Sequence, residues 1–117
     1  MNVPELVRSL LDGNLLAARQ HVADAQREGV DWERLEQPRA LNALEMSVAA
    51  GIVEMLASRS GARPPEWTKT VGAVNEPVVL DPGLEEMPRS FARAKAEGPE
   101  PLRKRNLIAL PDFLNVA

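Results

Sequence analysis

The sequence predicts a single compact all-α domain of about five or six helices arranged around one buried helix. The first observation is residues 41–60, which carry no charge between Glu45 and Glu54 and are apolar around most of a helical circumference. The second is the placement of the ten prolines, which fall almost wholly at helix starts or between helices. A helix that is apolar nearly all round must be covered by other segments.

Gly51 lies in the middle of this central helix. Glycine costs about 1 kcal/mol in helix propensity relative to alanine. We therefore expect another helix to cross closely over the missing side chain.

The domain covers residues 1–117 and divides into three parts. Residues 1–38 form a helical hairpin and a short turn, residues 39–61 form the central helix, and residues 62–117 form a proline-rich helical segment with an extended apolar C-terminal tail. In the hairpin, apolar residues recur at helical spacing over residues 3–11 and 15–29. Asp31 is expected to cap the short turn that follows.

The third part has the weakest periodicity. Pro64 and Pro65 open a helical turn, and residues 78–80 are read as an extended segment packed on helices, because they are too short and too alone for a sheet. A further helix starts at Asp81, is interrupted or restarted at Pro88, and ends at Gly98. Its expected inward residues are Leu84, Met87, Phe91 and Ala94.

The net charge, the absence of cysteine and the lack of long apolar runs make several classes of function unfavourable. Fourteen basic and seventeen acidic residues give a net charge of −3, which is unfavourable for nonspecific wrapping of nucleic acid but allows a local basic patch. The absence of cysteine excludes disulfides and thiolate metal sites. No apolar run reaches the roughly 20 residues of a membrane span and no signal peptide is apparent, so the expectation is a cytoplasmic protein without a membrane partner.

The sequence offers little support for an enzyme. His21 is the one histidine, and Asp24 and Glu28 on the same helix are typical of a solvated face. Glycine-rich phosphate loops, nucleophile elbows and zinc-protease motifs do not occur. We therefore predict no catalytic residue, no cofactor-binding residue, no metal ligand and no cofactor.

One stretch suggests nucleic-acid binding. Residues 56–63 are similar to the first helix and turn of a helix-turn-helix, but the segment after Pro64 has only one long basic side chain before Gly72. The alternative function is thus a small dimeric DNA-binding transcriptional regulator. Its candidate nucleic-acid residues are Arg59, Arg63 and Lys69.

The strongest positive feature is a basic turn formed by Arg103, Lys104 and Arg105. On one helical turn these side chains point in different directions, so we expect at least one to turn inward and pair with a carboxylate or cap carbonyls. The turn is either simply solvated or an anchor for an acidic partner surface. In the second case the apolar contacts beside it are Leu107, Ile108, Phe113 and Leu114.

The second half of the chain carries a recognisable pattern. It consists of a run from Leu56 to Trp67, then Glu76-Pro77, then the Pro-Leu-basic-basic-Arg-Asn cluster of residues 101–106 with its apolar turn, and Asp112-Phe113-Leu114. This pattern resembles a helical accessory segment found after the DNA-binding domain in some bacterial helix-turn-helix regulators and antitoxin-like proteins. The resemblance implies a toxin–antitoxin or related regulatory setting. Because no convincing DNA-binding domain precedes the segment here, it implies protein binding rather than DNA binding.

The primary functional hypothesis is a non-enzymatic antitoxin-like or regulatory adaptor. It binds a partner protein, such as a toxin, through the basic turn and the apolar tail. Two arrangements of the tail stay open: it docks on its own domain, or it covers a partner, including a second copy in a homodimer.

Overall fold

A computed structural model describes residues 1–115 of the chain. Within them the α-helices are α1 (Val3–Leu11), α2 (Leu15–Glu28), α3 (Ala43–Arg59), α4 (Pro88–Glu97) and α5 (Glu100–Arg103). Short 3-10 helices span Trp32–Arg34, Glu66–Thr70 and Leu84–Glu86. Two strands of two residues each are β1 (Val78–Val79) and β2 (Leu107–Ile108). The predominantly helical fold that the sequence predicts is confirmed.

The first two helices begin where asparagine side chains accept backbone N–H groups. Asn2 caps α1 and Asn14 caps α2, and α2 ends at Gly29 in the left-handed conformation. The bounds of this hairpin agree closely with the periodicity of the sequence. Asp31 differs from expectation, because it makes no capping hydrogen bond and instead lies 3.8 Å from the guanidinium of Arg34.

Helix α3 occupies the centre of the molecule. A reciprocal capping box between Asn42 and Glu45 starts it, and its residues from Ser47 to Ala57 are all buried. The same apolar core includes residues from helices α1, α2 and α5, from strand β2 and from the C-terminal turn at residues 111–114. The radius of gyration, 13.2 Å, is that of a compact domain of this size.

Helix α5 crosses α3 at Gly51, as the glycine predicted. A Cβ atom added there would lie 2.8 Å from Cδ2 of Leu102 and 3.3 Å from the carbonyl oxygen of Pro101. The missing side chain therefore allows the close approach of the two helices.

The segment at residues 78–80 is extended, as expected, but it is not unpaired. β1 pairs in parallel with β2, with Val78 opposite Leu107 and Val79 opposite Ile108. Leu80 N–H also donates to the carbonyl of Ile108 at 2.9 Å. The pairing partner lies in the tail, far along the chain, which is why local sequence did not indicate it.

A second, smaller cluster of buried side chains lies under α4. Leu84, Ala94 and Ile108 form it, with Phe91 packed against them. Met87, expected to face inward, is instead 47% exposed because it belongs to the kinked connection before α4 rather than to a continuous helix. Among residues 1–115, none of the helices combines the length and the apolar character needed to cross a membrane.

Candidate functional site

The basic turn is held in place by an ion pair inside the domain. Arg105 is buried, and its two terminal nitrogens donate to Glu54 of α3 at 2.7 Å (Nη1 to Oε1) and 3.1 Å (Nη2 to Oε2). The same nitrogens also donate to the carbonyls of Pro101, at 3.0 Å, and Thr68, at 2.8 Å. The expectation that one cation of the turn points inward is confirmed, since Arg105 both pairs with a carboxylate and caps carbonyls.

Glu54 is the carboxylate at the centre of this network. Burial raises the pKa of its carboxyl, but hydrogen bonds from Arg105 and Lys104 outweigh burial, so the pKa lies below the ordinary value of 4.5. Nε of Arg105 is buried and has no hydrogen-bond partner among the described residues. Glu54 and Arg105 thus form a charged pair that is almost fully removed from water.

Lys104 is the second cation of the network. Its Nζ lies 3.0 Å from Oε1 of Glu54, while its side chain remains 48% exposed. Lys104 therefore neutralises the carboxylate from the solvent side and still presents its ammonium group at the surface.

Arg103 points outward. Its Nε donates to the carbonyl of Gly98 at 2.6 Å, which orients the guanidinium at the end of α4. Together with Lys95 and Asn106, it lines a small depression. Of the three cations in the turn, Arg103 and Lys104 are accessible and Arg105 is not.

The apolar tail docks on its own domain. Leu107, Ile108, Phe113 and Leu114 are each at most 6% exposed. Asp81 Oδ2 accepts the N–H of Leu110 at 3.1 Å, which ties the tail to the β1 region. In this conformation the four side chains are buried in their own domain, which is the first of the two arrangements that the sequence leaves open.

The candidate nucleic-acid residues do not lie on a recognition helix. The segment after Pro65 is a 3-10 helix, and Lys69 in it pairs with Glu66 at 3.0 Å. Arg59 donates to the tail carbonyls of Pro111, at 3.0 Å, and Phe113, at 2.5 Å. Burial lowers the pKa of Arg59 and the charge of Asp112 opposes that effect.

Arg63 is exposed beyond the end of α3. Arg59 thus holds the C-terminal turn in place by hydrogen bonds, and Lys69 forms an ion pair with a neighbouring carboxylate. The three cations are not arranged as a set of side chains that reaches base edges from one helix.

The carboxylates singled out in the sequence form no metal site. Asp24 accepts from Gln20 and pairs with Arg27 along α2. No group of three or more potential ligands converges within residues 1–115.

Glu54 and Lys95 were not singled out in the sequence. A signal for Glu54 existed, because it is a carboxylate within the apolar part of the central helix and a buried charge requires a partner. Lys95 carried no local signal, since its place in the lining of the depression depends on how α4 packs.

Comparisons of the chain with models of protein families, with curated protein sequences and with solved structures find no match in any of the three.

Proposed function

We propose that this chain is a non-enzymatic protein-binding module, an antitoxin-like or regulatory adaptor whose basic turn binds an acidic surface of a partner protein. The proposal is carried by one observation. The buried pair of Arg105 and Glu54 fixes the backbone of the turn, while Arg103 and Lys104 remain accessible on it. A rigid support lowers the entropy lost when these side chains engage a partner.

The charge distribution supports the same surface. Between Pro88 and Asn106 the chain has six basic and two acidic residues, although its net charge is −3. A local positive region on an otherwise acidic molecule favours association with acidic partners and orients them. The docked tail packs beneath this surface. Because its apolar side chains are buried, apolar contacts with a partner have to come from other residues around the turn.

The test is capture of a partner by the tagged chain from its native host, followed by mass spectrometry. We expect one stoichiometric protein, such as a toxin in the antitoxin-like setting. The double variant Arg103→Glu with Lys104→Gln is expected to lose it, because charge reversal removes the electrostatic complementarity. Arg105 is left intact, since replacing it would disturb folding as well as binding.

The matched control is Arg19→Glu with Arg39→Gln, which changes the net charge equally at exposed arginines elsewhere. The control should retain the partner, and circular dichroism should report the same helicity for all three proteins. Equal capture by the basic-turn variant, or recovery of DNA in place of a protein, would contradict the proposal.

A further inference from the structure

A depression of about 90 Å³ lies between α4 and the basic turn. Its lining includes the apolar residues Ala94, Leu107 and Ile108 and the polar residue Asn106. Because a water molecule occupies about 30 Å³ in the liquid, this space suits one small group and is well below the size of a typical ligand pocket.

Two cations flank the depression, Lys95 from α4 and Arg103 from α5. The Nε of Arg103 is engaged by the Gly98 carbonyl, which holds the guanidinium in place. Lys95 Nζ lies 5.4 Å from the centre of the Phe91 ring. Within residues 1–115, neither cation forms an ion pair with a carboxylate.

The neighbouring cations, by contrast, have carboxylate partners within the chain. Arg93 on the same helix pairs with Glu97 at 3.2 Å, and Lys104 and Arg105 share Glu54. An anion bound in the depression is attracted by each cation of its lining that has no carboxylate partner.

We propose that this depression receives a glutamate or aspartate side chain from an acidic peptide segment of the partner, with Lys95 and Arg103 binding its carboxylate. The inference rests on the proposed function and names the chemistry that the surface recognises. Two cations around one small depression do not form the extended basic track that follows a nucleic-acid backbone.

The test is titration of the full-length chain with a short glutamate peptide whose termini are blocked, followed by nuclear magnetic resonance of the backbone amides. A glutamine peptide of equal length is the matched probe without charge. We expect shifts at Lys95, Arg103, Asn106 and Leu107 with the glutamate peptide only. Replacing Lys95→Gln and Arg103→Gln together should weaken binding about tenfold or more.

The variant Arg103→Lys keeps the charge and should retain part of the affinity, which separates loss of charge from loss of the Gly98 contact. The control pair Arg19→Gln with Arg39→Gln should bind the peptide as the unaltered chain does. An equal loss in the control, equal binding of the glutamine peptide, or tighter binding of inorganic phosphate or a single-stranded oligonucleotide would overturn the inference.

The two proposals fail separately. If a partner is captured through the basic turn but the glutamate peptide leaves the depression unshifted, the acidic-peptide inference is wrong and the binding function stands. If the peptide binds at Lys95 and Arg103 but no partner depends on Arg103 and Lys104, the adaptor function is wrong.

Discussion

At the scale of single residues, the pairing of Glu54 with Arg105 connects the core of the domain to its surface. A carboxylate on a buried helix is costly unless a cation reaches it with good geometry. Arg105 does so through two nitrogens, and the carbonyls of Thr68 and Pro101 take up the remaining donor capacity of those nitrogens. The pair therefore determines which way the basic turn faces.

Removing the charge of Glu54 is expected to destabilise the fold. Glu54→Gln leaves Arg105 buried without a counter-charge, and breaking such a pair costs about 3–5 kcal/mol. Urea unfolding at neutral pH measures the loss. Lys104→Gln is the comparison and should cost about 1 kcal/mol or less, because Lys104 is half exposed and its pair is screened by water.

The same pair makes stability depend on pH. Because the pKa of Glu54 is lowered in the folded state, the unfolded chain binds the proton more readily, and the contribution of Glu54 is complete above the ordinary pKa of 4.5. It is lost as pH falls below that value through the lower pKa of the folded state. Over this acid range, the free energy of unfolding of Glu54→Gln should depend less on pH than that of the unaltered chain. An unchanged dependence on pH would contradict the role of Glu54.

At the scale of elements, the crossing of α3 and α5 depends on one glycine. Leu102 is fully buried, so its side chain has little space to move away from a new methyl group at position 51. The glycine predicted a crossing helix, but not that the helix would be a single turn near the C-terminus.

Gly51→Ala is therefore expected to lower the free energy of unfolding. Overpacking typically costs about 1–3 kcal/mol, against a propensity gain of about 1 kcal/mol, so the expected net loss is about 1 kcal/mol. Chemical denaturation measures it. Ser58→Ala, exposed on the same helix, is the control and should be neutral or slightly stabilising; a stabilised Gly51→Ala protein would show that the crossing is loose.

At the scale of the whole molecule, the tail completes the domain. Leu102, Leu107, Phe113 and Leu114 all belong to the core that surrounds α3. The parallel pairing of β1 with β2 and the contacts of Arg59 with the C-terminal turn attach the tail at separate places. An apolar segment near the end of the chain is thus a structural part of the fold in this conformation.

A chain truncated after Gly98 is expected to lose cooperative unfolding, because it leaves Glu54 without a counter-charge and exposes the apolar face of α3. Thermal unfolding by circular dichroism tests this. The full-length variant Arg103→Glu, changed only at the surface, should keep its transition within a few degrees. A sharp transition in the truncated chain would mean that the first 98 residues fold on their own.

The local elements of this protein follow from local signals. Helical periodicity and capping asparagines set α1, α2 and α3, since these effects act within one or two turns of the chain. The carboxylate of Glu54, placed among the apolar residues of a buried helix, already required a cation. The basic turn was visible as three consecutive side chains.

The contacts between segments that lie far apart in the chain were decided only by the tertiary structure. Arg105 and Lys104, but not Arg103, reach Glu54 because α5 crosses α3 at Gly51, and Arg105 and Glu54 are 51 positions apart. The tail docks rather than standing open because β1 and Arg59 satisfy its backbone groups. Periodicity indicates that a face is apolar but not which distant segment covers it, and that choice is made by packing and hydrogen bonding over the whole chain.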